Sequence, residues 1–387
     1  MQDRRDAYMP YLAAFLIFMS SRVVMLLAIV FSNSFIPQNS GGEYWNLGLS
    51  WYRYLLRYDS GWYWKIASEG YTYNGDDLVQ QSVVFYPLYP LVSWTVSVLF
   101  DVHPTIALLI VSNSAILIAV LLIFKLIKDD YGEGVALFAL SSLSFFPTSF
   151  FFSVAYTESL AFLLISAFFL LLKKEQYFFT ASCAGLTLAT RPTGIVLLLP
   201  LLWELWRKFL KERKRLIIYV LGCGILATSG LWSYMIYLWA AFDSPLAFMT
   251  AQRAWHNGNE IGSNFFSILT LRPFRHLTDI LKTGPQTYTL DIWFFLSFLL
   301  IILLFRRKLT ISYNIFAFGV LLLPYLTRSG SLGFVSVTRY LLLAFPVFII
   351  LGDLFEKHRW LGICVTAIFA AMLFMYTALF AQWYWVG

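Results

Sequence analysis

Long apolar runs separated by short polar segments make up most of this chain of 387 residues. The runs are continuous, so they lack the alternating pattern of membrane-barrel strands. Because backbone polar groups in lipid must be satisfied within their own segment, the pattern predicts an all-α, polytopic integral membrane protein of about 11 spans. The predicted helices occupy residues 9–32, 105–124, 134–152, 156–172, 177–190, 194–205, 216–240, 287–305, 311–326, 339–354 and 361–382.

Clusters of lysine and arginine between the runs set the predicted topology. The positive-inside rule places every cluster in the cytoplasm if residues 33–104 form one long outer segment. Residues 83–100 then form a re-entrant or interfacial helix, since Pro87 and Pro90 disfavour a regular span. If that stretch crosses the membrane instead, the sidedness of everything after it reverses. Residues 241–286 become a second large outer loop, and the whole chain, 1–387, forms a single transmembrane domain.

Composition supports the membrane class: 59% of the residues are hydrophobic, 13% are charged and the mean hydropathy is +0.70. The net charge of +7 comes from the short basic clusters between apolar runs, which excludes nucleic acid as a favoured partner. The three cysteines lie scattered in apolar runs and predict neither a disulfide framework nor a metal site.

The predicted topology gathers unusual polar residues on the outer face, where converging ionisable groups indicate a functional cavity. The main candidates are Asp59, within the aromatic segment 57–64, and Glu158, which begins an apolar run after a phenylalanine-rich stretch. The other candidates are Arg191, Arg328, Arg339, Asp101, His103, Arg253 and His256.

Each main candidate has a plainer explanation beside the functional one. A carboxylate among aromatic rings is costly to desolvate, which favours a working base at Asp59, but it can also pair with Arg57 or Lys65 in a wet loop. Glu158 can orient an acceptor hydroxyl or assist Asp59, or it can simply favour a helix start. Arg191 stands at a Pro-Thr-Gly break in the apolar pattern, which suits a phosphate or sugar ligand better than interfacial snorkelling.

The remaining candidates carry weaker signals. Arg328 and Arg339 flank a loop rich in Gly and Ser whose amides can cradle phosphate, although interfacial anchoring explains both arginines equally well. The histidines are too dispersed for zinc-ligand spacing, and the chain has no nucleophile elbow, P-loop or dinucleotide fingerprint.

The order of several motifs resembles a known family. The segments are Tyr58 to Tyr63 (YDSGWY), Phe85 to Pro90 (FYPLYP), Phe146 to Phe152 (FPTSFFF) with Tyr156 to Ser159 (YTES), Thr190 to Gly194 (TRPTG) and Thr338 to Tyr340 (TRY). Together they are similar to prokaryotic relatives of the second mannosyltransferase of glycosylphosphatidylinositol-anchor assembly, a GT-C membrane glycosyltransferase. The resemblance covers most of the chain, but nothing in residues 241–286 matches closely.

The resemblance implies an inverting transfer of a sugar, with mannose as the expected one, from a polyprenyl-phosphate carrier to a lipid-linked or glycan acceptor. It implies a multi-pass protein of the plasma membrane with its site on the extracytoplasmic face. The family's acid in the first outer loop corresponds to Asp59, as general base, and its Tyr-Thr-Glu-Ser acid corresponds to Glu158. Arg191, Arg328 and Arg339 are then the candidates for the donor phosphate.

The residues fit this chemistry, because an inverting transfer needs a base and stabilisation of the departing phosphate. Arginines can neutralise a monophosphate, so no cofactor and no obligatory metal are expected. A lipid or glycolipid transporter with a charged outer cavity is the alternative, although the chain shows no clear internal repeat. A scaffold membrane protein is a third possibility, but it leaves the clustering on one face unexplained.

Overall fold

The computed structural model describes the backbone of residues 2–39, 51–255, 287–327 and 336–386, and the side chains of residues 8–39, 52–254, 291–323 and 336–386. Within these ranges the chain forms α-helices joined by short 3-10 turns, and it contains no strand. The helices are α1 Gln2–Phe35, α2 Ser60–Glu69, α3 Leu88–Phe100, α4 Pro104–Tyr131, α5 Glu133–Ser144, α6 Glu158–Lys173, α7 Tyr177–Thr190, α8 Leu198–Phe209, α9 Arg213–Phe242, α10 Ala247–Thr250, α11 Thr287–Phe305, α12 Ile311–Thr327, α13 Val337–Leu341, α14 Phe345–Lys357 and α15 Arg359–Ala381.

Four of the described helices are long and apolar enough to cross a membrane. They are Tyr8–Phe35, Pro104–Tyr131, Arg213–Phe242 and Arg359–Ala381. Large apolar side chains remain exposed along them, such as Ile225 and Trp232 on α9. The all-α membrane architecture predicted from the apolar runs is thereby confirmed, whereas the number of crossings stays a prediction.

Helix α3 forms within the stretch 83–100, whose prolines stand at its start. Pro87 is the N-cap residue and Pro90 lies in the first turn, where no intrahelical N–H bond is lost. The helix has 13 residues, which extend about 20 Å and are short for a bilayer crossing. A re-entrant or interfacial position for α3 stays a prediction.

Two helices predicted as continuous are interrupted by proline. The run 134–152 forms α5 only as far as Ser144 and resumes as a 3-10 turn at Ser149–Phe152. The run 339–354 is divided into α13 and α14, and Pro346 stands in the first turn of α14. Proline disfavours helical backbone in the residue before it and removes an N–H, so each run breaks just ahead of its proline.

The broken segment after α5 is fixed in the core by Phe146. Its ring meets Phe294 and Phe298 of α11, Phe348 of α14 and Phe369 of α15 edge-on, with centroids 5.2 to 5.6 Å apart. Edge-to-face contacts of this kind contribute about 0.5–1.5 kcal/mol each beyond area burial. The ring therefore joins three helices at the point where the chain turns toward Glu158.

Helices α7 and α9 approach closely along glycines. A side chain on Gly230 of α9 would collide with the carbonyl oxygen of Gly185 and the methyl group of Ala189, both on α7. Small residues permit this close approach, which is typical of helix packing in membranes. The contact holds α7 in place, and Arg191 follows at its C-terminal end.

Basic residues from several of the predicted cytoplasmic clusters lie at one end of the helix bundle. Lys173 pairs with Asp130, and Lys308 pairs with Asp353. A cavity of about 570 Å³ lies at this end, between α4, α6, α7, α8 and α12. Helix α6 begins at Glu158 and ends at Lys173, so these residues are about 22 Å apart at 1.5 Å per residue. Glu158 and the basic clusters thus occupy opposite ends, as predicted, whereas which end faces outward stays a prediction.

Candidate active site

Four separate elements bring the candidate residues together. Asp59 immediately precedes α2, and Glu158 is the first residue of α6. Arg191 follows α7, where the backbone becomes extended before Pro192. Arg339 lies within the short helix α13. Because each residue stands at a helix end or a break, its side chain leaves the apolar face and can reach the others.

Arg339 lies at the centre of the resulting ionic network. Its Nη1 donates to Asp59 Oδ2 at 2.9 Å, and its Nε donates to Glu158 Oε1. Arg191 Nη1 lies 2.5 Å from the same Glu158 oxygen as an ion pair. Glu158 therefore holds two guanidinium groups side by side, and one of them also holds Asp59.

Aromatic rings support both guanidinium groups from the side. The guanidinium carbon of Arg339 lies 4.4 Å from the ring centroid of Tyr156, and that of Arg191 lies 4.8 Å from the ring of Tyr340. Arginine stacks well on aromatic faces, because its planar group is weakly hydrated. The arginines are thus held in fixed orientations by rings as well as by carboxylates.

The hydroxyl of Tyr156 fixes the backbone around Asp59. It accepts a hydrogen bond from the Asp59 N–H at 3.2 Å and donates one to the Arg57 carbonyl at 3.1 Å. The Tyr-Thr-Glu-Ser segment therefore contributes two contacts to the site. Glu158 contacts the arginines, and Tyr156 holds the loop that carries Asp59.

Burial separates the roles of the two carboxylates. The Glu158 side chain is 0% exposed, whereas the Asp59 side chain is 22% exposed. Arg191 and Arg339 are also buried, with 6% and 7% of their side chains exposed. Asp59 is therefore the member of this network that can meet a substrate directly, and Glu158 acts on the arginines beneath it.

Tyr63 lies one turn after Asp59, where it packs edge-on against Tyr89 and Tyr156. Burial raises the pKa of the Tyr63 hydroxyl, and the charges of Asp59 and Glu158 raise it further. The phenol is therefore protonated at neutral pH and cannot serve as a base.

The other sequence candidates lie elsewhere or outside the described residues. Asp101 is exposed at the C-cap of α3, and His103 caps α4 through Thr105. Arg253 is exposed and lies 3.6 Å from Asp77. None of these three has a described contact with Asp59 or Glu158, and Arg328 and His256 fall outside the described residues.

Three buried polar residues that support the site were not among the sequence candidates. Arg22 of α1 donates to the carbonyls of Ser144 and Ser149, and Arg57 donates to the Ala381 carbonyl. Asp291 of α11 accepts from Thr338. Arg22 and Asp291 could have been noted as lone charges within apolar runs.

In the part of the chain that the structure describes, no three His, Cys, Asp or Glu side chains gather in an arrangement that could hold a metal ion.

Comparison with known proteins gives no family assignment. No protein-family model matches the chain, and no curated protein matches it. Three solved structures of the oligosaccharyltransferase from Archaeoglobus fulgidus are similar to it at 11 to 13% identity, with TM-scores of 0.46 to 0.48. One is in complex with Zn and sulfate, one with an inhibitory peptide and a dolichol-phosphate, and one is the apo form. The similarity covers 94 or 95% of this chain. It covers only 53 to 56% of the oligosaccharyltransferase chains, so this chain spans about half of their length. At these scores the similarity carries no argument about activity.

Proposed function

We propose that this protein is an inverting membrane glycosyltransferase of the GT-C type, which moves a sugar from a polyprenyl-phosphate carrier to a lipid-linked or glycan acceptor. The observation that carries the proposal is the network in which a partly exposed carboxylate, Asp59, pairs with the buried guanidinium of Arg339, which shares Glu158 with the buried guanidinium of Arg191. A base beside cations is the pair of functions that transfer from a phosphate leaving group requires.

In this proposal Asp59 takes the proton from the acceptor hydroxyl. Its Oδ2 accepts from Arg339, whereas its Oδ1 accepts no hydrogen bond from the described residues. The free oxygen belongs to a side chain that is 22% exposed, so it is open to an incoming hydroxyl. Arg339 orients the carboxylate through its hydrogen bond to Oδ2.

The arginines stabilise the negative charge that develops on the departing phosphate. Each guanidinium carries five N–H donors in a fixed fork, which suits bidentate contact with phosphate. Glu158 and the rings of Tyr156 and Tyr340 hold Arg339 and Arg191 in place before substrate arrives. Such preorganised donors stabilise developing charge without a reorganisation cost at the moment of reaction. Arg328 is proposed as a further phosphate contact on its sequence position alone.

Mannose as the sugar and the plasma membrane as the location rest on the sequence resemblance. The extracytoplasmic face as the side of the site rests on the positions of the basic clusters as well. The proposal includes no obligatory metal, since the arginines supply the positive charge. Addition of a chelator should then leave transfer unchanged, and recovery of lost activity by Mg²⁺ or Mn²⁺ would contradict this part.

The test is a transfer assay with the purified protein in liposomes, using radiolabelled mannosyl polyprenyl phosphate and lipid extract from native membranes. We expect a labelled glycolipid whose new linkage has the anomeric configuration opposite to that of the donor. Asp59→Asn should abolish transfer, since the amide keeps the shape but accepts no proton at neutral pH. Glu69→Gln makes the same chemical change at an exposed residue at the end of α2 and should retain full activity.

Three results would contradict the proposal. Retention of more than about a tenth of the turnover by Asp59→Asn would remove the general-base role, whose usual contribution is a hundredfold or more. A product with retained configuration would exclude direct displacement. Movement of a fluorescent polyprenyl-phosphate sugar across the liposome membrane, with no new glycosidic bond, would favour the transporter.

A further inference from the structure

Asp291 is a buried acid within an apolar helix, and the proposed chemistry does not use it. It lies in α11, where it is 3% exposed, and it follows the segment whose structure is not described. An ionisable residue at this depth is costly, so its partners indicate its purpose. Two of its hydrogen bonds go to Thr338.

Thr338 is held by its backbone and its side chain together. Its N–H donates to Asp291 Oδ1 at 2.8 Å, and its hydroxyl donates to the same oxygen. Its carbonyl accepts from Thr148 Oγ1 at 3.0 Å. Hydrogen bonds to a charged acceptor are the strong class, and here one carboxylate oxygen receives two of them.

The next residue along the chain is Arg339, the centre of the ionic network. The Thr338 carbonyl belongs to the peptide plane that joins Thr338 to Arg339, so Thr148 fixes the plane from which the arginine side chain departs. Asp291 accepts from the Thr338 N–H, two residues after Ser336, whose φ of 64° places it in the left-handed region. The start of α13 is therefore tied to α11 and to the segment after α5.

We propose that Asp291 is a positioning residue that acts through Thr338 to place the Arg339 guanidinium between Asp59 and Glu158. The expected loss of transfer activity rests on the proposed function, whereas the expected shift of the Arg339 guanidinium can be measured without turnover. Loss of this tie leaves the backbone before Arg339 held at the Thr338 carbonyl by Thr148 but no longer at the Thr338 N–H and hydroxyl, so the guanidinium shifts relative to Asp59. A displacement of about 1 Å at a site can reduce the rate a hundredfold.

The test compares variants that keep or remove the acceptor oxygen. Asp291→Asn retains an oxygen that can accept from Thr338, whereas Asp291→Leu removes it at similar size. Ser166→Ala is the matched control, because it removes a buried hydroxyl that bonds only within its own helix, to the Phe162 carbonyl. In the transfer assay we expect Asp291→Leu to lower kcat about tenfold to a hundredfold, with the acceptor KM little changed. Asp291→Asn and Ser166→Ala should stay within about threefold of wild type.

A second measurement reports on Arg339 without turnover. With ¹⁵N-labelled arginine, the Nε–H resonance of Arg339 is assigned by its loss in Arg339→Lys. Asp291→Leu should move or broaden this resonance, while Asp291→Asn and Ser166→Ala leave it in place. Asp291→Leu should also add little to the loss of transfer already caused by Arg339→Lys, since both act on the same group.

The results separate this inference from the proposed function. If wild-type protein transfers no sugar, the proposed function fails, and the Arg339 resonance still decides the positioning role. If Asp291→Leu keeps wild-type kcat and an unmoved Arg339 resonance, the inference is overturned. It is equally overturned if the kinetic effect of Asp291→Leu adds fully to that of Arg339→Lys, because Asp291 then does not act through Arg339.

Discussion

Neutralising Glu158 should destabilise the protein far more than neutralising Asp59, although both carboxylates belong to one network. Glu158 is fully buried and contacts two guanidinium groups, which in Glu158→Gln would face one remaining carboxylate. Removing one partner of a buried ion pair costs about 3–5 kcal/mol, because it leaves an uncompensated charge away from water. The Asp59 side chain is 22% exposed and pairs with one guanidinium group, that of Arg339. Asp59→Asn should therefore lower the free energy of unfolding by about 1–3 kcal/mol at most.

The charge argument can be isolated with a second substitution. Arg191→Gln in the Glu158→Gln background removes one of the two guanidinium groups and restores the balance between acids and bases. The double variant should therefore be destabilised less than the sum of the two single variants. Neighbouring charges of this kind usually show an interaction energy of about 0.5–3 kcal/mol in a double-mutant cycle.

The assay is thermal unfolding of wild type, Asp59→Asn, Glu158→Gln, Arg191→Gln and the double variant in one detergent, followed by intrinsic tryptophan fluorescence. Glu69→Gln is the exposed control. Glu158→Gln should show the lowest apparent midpoint of the carboxylate variants. An unchanged midpoint for Glu158→Gln would refute the reasoning, since the carboxylate would then not be paired and desolvated. Full additivity in the double-mutant cycle would show that Arg191 and Glu158 have no interaction energy.

Three further predictions address the donor site, the packing and the topology. Arg191→Lys should weaken use of the donor about tenfold to a hundredfold, measured as kcat/KM for the donor at saturating acceptor, because a point charge cannot reproduce the planar fork. Gly230→Ala should lower the thermal midpoint, because the added methyl group meets the backbone of α7, whereas Gly224→Ala on the same helix meets nothing within 4 Å and should not. In a variant lacking the native cysteines, a cysteine replacing Gln80 should react with an impermeant thiol reagent on intact cells. A cysteine replacing Gln176 should react only after permeabilisation. Both positions are exposed, and the predicted topology places them on opposite sides of the membrane.

Each of these predictions has a clear contrary result. Full activity with reduced thermostability in Arg191→Lys would make Arg191 a tie between helices. Equal midpoints for the two glycine variants would show that α7 and α9 can separate without cost. Equal labelling of the two cysteines in sealed cells would overturn the sidedness on which the grouping of outer residues was predicted.

Four of the nine candidate residues lie together in the structure, in an arrangement that the sequence did not predict. Asp59, Glu158, Arg191 and Arg339 each stand out as a charge beside a break in an apolar run, and the basic clusters place them at one end. Which charge meets which cannot be obtained this way, because it depends on how the helices pack. The structure shows that Glu158 faces inward to the arginines, whereas one sequence hypothesis had it facing an acceptor.

Helix boundaries were predicted well where polar or charged residues stand at both ends of the apolar run. Residues 287–305 form α11 as predicted, since polar residues precede the run and arginines follow it. Prolines caused the errors at 134–152 and 339–354, because an apolar run reads as continuous even when a proline divides it. Asp291 shows a further limit, since an acid in an apolar run indicates burial but does not indicate its partner.

The network of Asp59, Glu158, Arg191 and Arg339 contains as many acids as guanidinium groups, so its formal charge is zero at rest. In the proposed reaction the carrier phosphate gains one negative charge as its bond to the sugar breaks, while Asp59 loses one by taking a proton. The sum over protein and ligand then stays constant through the transfer. No net charge has to be created in a medium of low dielectric constant, where separating charges is expensive. The enzyme would return to its resting state only when that proton and the carrier phosphate have both departed, so release of the carrier and deprotonation of Asp59 are linked events.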